Sequence, residues 1–278
     1  CDRLHETGLI GSLRWWYEAL VRGLGGYACD PTSEDRCEYD PKKPDPPEKQ
    51  LCAACYLFGC TGWARKFRLR VQDASGQFIQ GSLQRNTEFV LEFVELRPIS
   101  PEEKWLLAKA VEIATKHGAL GGKTTLKPQK GPMGEDFGIV EWQGASDVPK
   151  LATTNWPTFF QKFRRGKHPP EYPNLAHFFF FSGAFLLRLQ MNPLLGLDGR
   201  GMPLSNLDDV QKFLQGRRGT TQSEAVSKKL FSFRAGGGRI WGYARDAQMR
   251  DKMIARIKDQ LGSQRFSVKT GEEVLHEL

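Results

Sequence analysis

The sequence predicts an α+β architecture in two halves, and three observations carry that reading. Apolar stripes of helical period alternate with short segments of strand period, this mixture occurs twice along the chain, and each half contains a glycine-rich, basic loop tied to a strand. We place the halves at residues 1–145 and 146–278, the first with a cysteine-rich insertion.

In the first half, Leu13, Trp16, Tyr17, Leu20, Val21 and Leu24 recur at steps of three and four, which predicts a helix starting near Ser12. Arg14, Glu18 and Arg22 lie outside that stripe, and Trp15 falls beside Arg22, where it either stacks on a partner or packs under the following loop. Residues 30 to 50, with five prolines among many charges, read as a surface excursion. Strands are predicted over 65–71, 78–83 and 89–96. Ser100 as N-cap, Pro101 in the first turn and Glu103 closing a capping box open a helix that Gly118 ends. The loop from Gly118 through Gly121, Gly122 and Lys123 follows, and a strand is expected over 139–142.

The second half opens on a loop-like stretch, 146–173, whose aromatics alternate with basic residues. The apolar run 175–189 is buried but of ambiguous type. A strand at 230–233 leads into Gly236-Gly237-Gly238-Arg239, and Met249, Met253, Ile254, Ile257 and Leu261 mark a final amphipathic helix.

Forty Lys+Arg against 32 Asp+Glu give a formal net charge of +8, and 40% hydrophobic residues with 26% charged are the composition of a chain that folds around a core. The longest apolar stretch falls short of the ~20 residues that span a bilayer. No basic segment followed by an apolar one opens the chain, so no secretion signal is read and a cytoplasmic location is expected. The basic groups cluster. Alternation over 65–71 puts Lys66, Arg68 and Arg70 on one strand face and Phe67, Leu69 and Val71 on the other, and a polyanion is the natural partner for such a face unless it is simply solvated. Glycines let a backbone approach phosphates closely and offer amide donors, while Lys123 and Arg239 add charge; a tight turn needing positive φ explains the same residues.

All six cysteines lie within the first sixty residues. Cys52-x-x-Cys55 has metal-ligand spacing, and Cys29 and Cys37 are placed to complete a tetrahedral thiolate site for a structural zinc; reduced buried thiols and disulfides are the alternatives. No other cofactor is expected. A Walker phosphate loop fails because His117 stands where it needs glycine and because the loop follows a helix. No serine elbow, zinc-protease helix or calcium loop is present, so the residues favour binding over chemistry and no catalytic residue is assigned.

The runs Gly8-Leu9-Ile10-Gly11-Ser12-Leu13-Arg14-Trp15-Trp16-Tyr17 and Cys52-Ala53-Ala54-Cys55-Tyr56-Leu57-Phe58-Gly59-Cys60-Thr61-Gly62-Trp63-Ala64-Arg65, with the two glycine-rich loops, resemble the RAMP superfamily of CRISPR proteins, and within it the first-subunit family of the Cmr, type III-B, effector complex. The resemblance implies two tandem ferredoxin-like (RRM-like) domains with inserted loops. It implies a non-catalytic subunit that helps hold guide RNA (crRNA) near its 3′ region and the paired target RNA in antiviral defence, beside other Cmr subunits and with no small-molecule substrate. Relatives begin with a β-strand that would precede Cys1, so a leading segment is expected upstream. Ser12 and Arg14 match a helix start where phosphates meet N–H groups, and Gly121, Gly122, Lys123, Gly236, Gly237, Gly238 and Arg239 match the glycine-rich loops. Cys52 and Cys55 match an element that binds metal in some relatives. Arg22, Lys66 and Arg68 are expected on phosphates, with Trp15 or Trp241 stacking on bases. Two alternatives remain: a metal-independent endoribonuclease using His5 or His117, and a scaffold whose aromatic surfaces dock neighbours.

Overall fold

The computed structural model describes residues 6–79, 86–121, 138–151, 154–169, 171–215 and 229–278. Helix α1 (Glu6–Gly23) is the first element of the described residues and is followed by the short helices α2 (Pro47–Gln50) and α3 (Ala53–Phe58). Strands β1 (Phe67–Gln72) and β2 (Val90–Glu95) pair antiparallel, from Phe67 opposite Glu95 to Gln72 opposite Val90, and helix α4 (Pro101–Lys116) packs against α1. The capping box that starts α4 forms as expected: Ser100 Oγ accepts from the Glu103 amide at 3.3 Å, and the Glu103 carboxylate accepts from the Ser100 amide at 2.9 Å.

After α5 (Trp156–Phe160), a 3-10 turn at Leu175–His177 leads into β3 (Phe178–Ser182), α6 (Arg188–Leu194), α7 (Asp209–Gln215), β4 (Leu230–Phe233), β5 (Arg239–Tyr243), α8 (Ala247–Leu261), β6 (Ser267–Thr270) and α9 (Gly271–His276). These strands form one antiparallel sheet in the order β4-β5-β3-β6. Its succession of strand, helices, strand, strand, helix, strand is the ferredoxin-like arrangement. The first sheet has two strands among the described residues, so this order is visible in the second half alone.

Some expectations change. The stretch expected as a strand over 139–142 has no ladder, and residues 80–83 of the expected strand at 78–83 lie outside the described residues. Helix α1 begins at Glu6, so Ser12 sits well inside it rather than at its start. The run 175–189 resolves into the 3-10 turn, β3 and the beginning of α6. Phe178, Phe179, Phe180 and Phe181 are all buried because the second sheet is covered on both faces, which erases the alternation a one-sided strand would show.

One face of that sheet, with Phe179, Phe181, Leu230 and Ile240, packs with α6 and α8 through Met191, Met253 and Ile257. The other face, with Phe178, Phe180, Phe231, Phe233, Trp241 and Tyr243, joins the core built on α1. The Trp15 ring lies 5.7 Å from Phe178, 5.9 Å from Trp241 and 5.9 Å from Tyr243, and Trp16 lies 5.0 Å from Trp241. The face that an RNA-binding sheet of this kind would offer to bases is therefore closed by the chain's own first helix.

Candidate nucleic-acid interface and a four-cysteine centre

The C-terminus of α4 leaves backbone carbonyls without helical partners. Arg239 meets them: its Nη1 donates to Thr115 O at 2.8 Å and to Gly118 O at 2.7 Å, and the cation suits the negative end of the helix. Trp16 Nε1 donates to Ala119 O at 3.1 Å and the Leu120 amide to Gly138 O at 2.8 Å. These bonds bring two glycine-rich loops, distant in sequence, to one place. Gly121 (φ +86°), Gly236 (+65°), Gly237 (+77°) and Gly238 (+96°) all adopt the left-handed backbone that favours glycine. At Gly238 a Cβ would also meet the Ala184 backbone at 2.7 Å, whereas at Gly237 it would meet nothing within 4 Å. Gly236 and Gly237 are exposed, and their amides make no hydrogen bond among the described residues. Gly122 and Lys123 lie outside the described residues.

Several residues expected on RNA are turned inward. Arg22 is 4% exposed and donates to the carbonyls of Ala28, Cys29 and Pro173. Lys66 is 4% exposed, bonds both Glu103 carboxylate oxygens at 2.9 Å and sits 3.8 Å from the Tyr56 ring centre. It precedes β1, so the strand alternation does not orient it. Trp241 is buried with its Nε1 unpartnered, and Trp15 is packed as described above. Arg14 bonds Glu18 at 2.8 Å, Gly59 O at 2.8 Å and Cys55 Sγ at 3.0 Å. Arg239 caps α4. Arg68 alone of the expected strand face is exposed, while Arg70 pairs with Glu92 at 3.4 Å. Ser12 is half-buried.

Cys29, Cys37, Cys52 and Cys55 converge: all are at most 1% exposed and their Sγ atoms lie within 4.8 Å of one another. Hydrogen bonding from Cys29 holds the Cys37 thiol below its ordinary range, while burial pushes Cys52 above it. Arg164, one of the basic residues that alternate with aromatics over 146–173, directs its guanidinium at Cys37 Sγ (3.4 Å) and at Asp35 (2.6 Å). No sequence signal marks that role, because Arg164 is far from the cysteines along the chain. Cys60 is only half-buried and faces Thr61 O at 3.6 Å.

His117 lies against the Phe180 ring, with centres 5.1 Å apart, and burial followed by the charges of Lys269 and Arg239 pulls its pKa down to about 4. The imidazole is therefore neutral at pH 7. Its ordinary pKa is 6.5. Between pH 6.5 and pH 4 the unfolded chain binds the proton and the folded chain does not, so stability falls as the pH is lowered through that window and levels off below it. The expected loss is on the order of 2–3 kcal/mol. Urea unfolding of wild type and His117→Phe at pH 7 and pH 4.5 checks this: the variant should lose less on acidification, and equal losses would refute the assignment. His5 lies outside the described residues.

Among the described residues no helix is long and apolar enough to cross a membrane. The model of the RAMP superfamily matches residues 1–126, somewhat under half of the chain. That stretch holds α1, the cysteine cluster, the first sheet, α4 and the start of the first glycine loop. No curated protein and no solved structure gives a significant match.

Proposed function

We propose, from the RAMP-superfamily match over residues 1–126, that the chain is an RNA-binding subunit of a type III-B CRISPR (Cmr) ribonucleoprotein, itself non-catalytic, that helps hold the 3′ region of the guide RNA and its paired target. The match supports the coarser reading of a CRISPR-associated RNA-binding protein. The observation that carries the finer one is the meeting of the two glycine-rich loops, where exposed Gly236 and Gly237 present amides in left-handed backbone. Such a nest receives phosphate oxygens; Lys123 follows the first loop in sequence, and Arg68 is an exposed cation of β1. Base stacking on the second sheet plays no part, since α1 covers that face. The partners are the guide and target RNAs and neighbouring Cmr subunits in the cytoplasm. With its pKa pulled down to about 4, His117 holds no proton at pH 7 for a general acid to donate, and the sequence carries no catalytic motif, so binding is preferred to cleavage.

Fluorescent single-stranded RNA and matched duplex DNA, titrated across a salt series, test this. Wild type should prefer RNA, and Lys123→Glu, Arg68→Glu and Gly237→Asp should each weaken binding about 5-fold and, for the two charge reversals, reduce the salt slope by about one. Unchanged thermal melting would show that the variants fold. Equal binding by all four proteins would remove RNA from the loop junction. Metal-free cleavage of a repeat RNA by wild type, lost in His117→Ala, would replace the reading with a nuclease. A scaffold role is favoured by Phe78, Val90 and Leu96, large apolar side chains 55%, 51% and 53% exposed on and beside the first sheet.

A further inference from the structure

We propose that Cys29, Cys37, Cys52 and Cys55 bind one zinc ion as a tetrathiolate whose two surplus negative charges are met by Arg14 and Arg164. The sulfurs have the spacing of such a site. Cys29 Sγ lies 3.4 Å from Cys55 Sγ and 3.8 Å from Cys52 Sγ, and all four fall within 4.8 Å of one another. A tetrahedral ion with Zn–S bonds of about 2.3 Å separates its sulfurs by roughly 3.8 Å. A disulfide needs about 2.05 Å, and a multi-iron cluster needs a wider cage than these four atoms leave. Four thiolates with no imidazole or carboxylate among them select a thiophilic ion, and zinc, which has no redox chemistry and takes a closed tetrahedral set of thiolates in structural sites, suits this buried centre.

The surroundings carry the second half of the proposal. Four thiolates around Zn²⁺ leave a charge of minus two, which is costly to bury without partners. Arg14 Nη2 lies 3.0 Å from Cys55 Sγ and Arg164 Nη1 3.4 Å from Cys37 Sγ, one cation on each of two sulfurs. The backbone amides of Cys52 and Cys55 also point at Sγ atoms, at 3.3 Å and 3.4 Å. Each of these part-buried guanidiniums also has a carboxylate partner, Glu18 at 2.8 Å for Arg14 and Asp35 at 2.6 Å for Arg164, and a dianionic centre gives each cation a second anion on the side that faces the sulfurs. Arg14 belongs to α1 and Arg164 to the segment after α5, so the ion fastens the proline-rich excursion to two distant parts of the chain. That excursion has little apolar surface of its own with which to fold.

The test uses the full chain purified under reducing conditions. Elemental analysis should give about one zinc per chain in wild type and in Cys60→Ser, and far less in Cys37→Ser. Should Cys37→Ser not fold, wild type alone decides: exchange of its metal for cobalt(II) should produce the visible bands of a tetrahedral tetrathiolate. Arg14→Met and Arg164→Met should each retain the site but lose zinc to a competing chelator with affinity lowered about 10- to 100-fold. Iron in place of zinc, no bound metal, or two disulfides found by mass spectrometry after thiol alkylation would overturn the site. Unchanged zinc affinity in both arginine variants would overturn the charge pairing.

Discussion

Replacing Lys66 by Met is expected to destabilise the protein by about 3–5 kcal/mol, far more than a surface lysine would cost. The side chains of Lys66 and Glu103 are 5% and 3% exposed, and the ammonium lies 2.9 Å from both carboxylate oxygens. Removing the ammonium leaves a buried carboxylate facing apolar neighbours. Glu103 cannot turn to water, because it is also the closing residue of the α4 capping box. Glu103→Gln alone keeps that cap but strands the ammonium beside an amide and the Tyr56 ring. The double variant Lys66→Met, Glu103→Gln removes both charges and keeps the cap, so it should recover much of the loss. Denaturant unfolding of the four proteins, with m-values compared, gives the cycle. A single-variant cost under about 1 kcal/mol would mean that the pair is reached by water.

The same pair shows what the sequence could and could not reveal. Alternation over 65–71 correctly oriented Phe67, Leu69, Val71 and exposed Arg68, because those residues lie in β1. Lys66 stands one residue before the strand, where parity has no meaning, and its partner is 37 positions away. The α4 cap was legible because every group in it is local: Ser100, Pro101 and Glu103 are neighbours in sequence and their bonds depend on nothing else. Helix α1 was legible as a helix but not as a buried one. Trp16 of its Leu13 stripe meets Trp241 of the second sheet, while Trp15, Glu18 and Arg22 on other faces meet that sheet, Arg14 and loop carbonyls. Only the assembled fold supplies those partners.

For the candidate sites, spacing singled out Cys29, Cys37, Cys52 and Cys55, whose sulfurs the fold brings together, and the glycines, of which Gly121, Gly236, Gly237 and Gly238 adopt positive φ. It could not show which cations serve them. Arg14, Arg22 and Arg239 read from sequence as free charges, yet each is held by carbonyls, carboxylates or sulfurs of the same chain. Charge on a partly buried arginine is commonly a structural device, and a linear sequence does not carry its depth.

Gly118→Ala is expected to be the other large effect, and its cause is a side chain rather than a backbone angle. A Cβ there would lie within clashing distance of Trp16 Cζ2 and 2.5 Å from Cη2. The indole cannot move aside easily: it is 2% exposed, bonds Ala119 O at 3.1 Å, and lies 5.0 Å from both Trp15 and Trp241. Forcing a methyl into that contact should cost about 3 kcal/mol, at the upper end of overpacking. Trp16→Ala should cost about 3–5 kcal/mol through the cavity it leaves. The two costs are not independent, because the cavity of one receives the methyl of the other. The double variant should therefore be less destabilised than the sum by about 1–3 kcal/mol. Gly237→Ala is the control: its Cβ meets nothing within 4 Å, so only the strain at φ +77° remains, and Trp16→Ala should leave that cost unchanged. Additive costs at Gly118 would mean that the Trp16 ring yields, and a ring that yields would not keep the second sheet closed to bases.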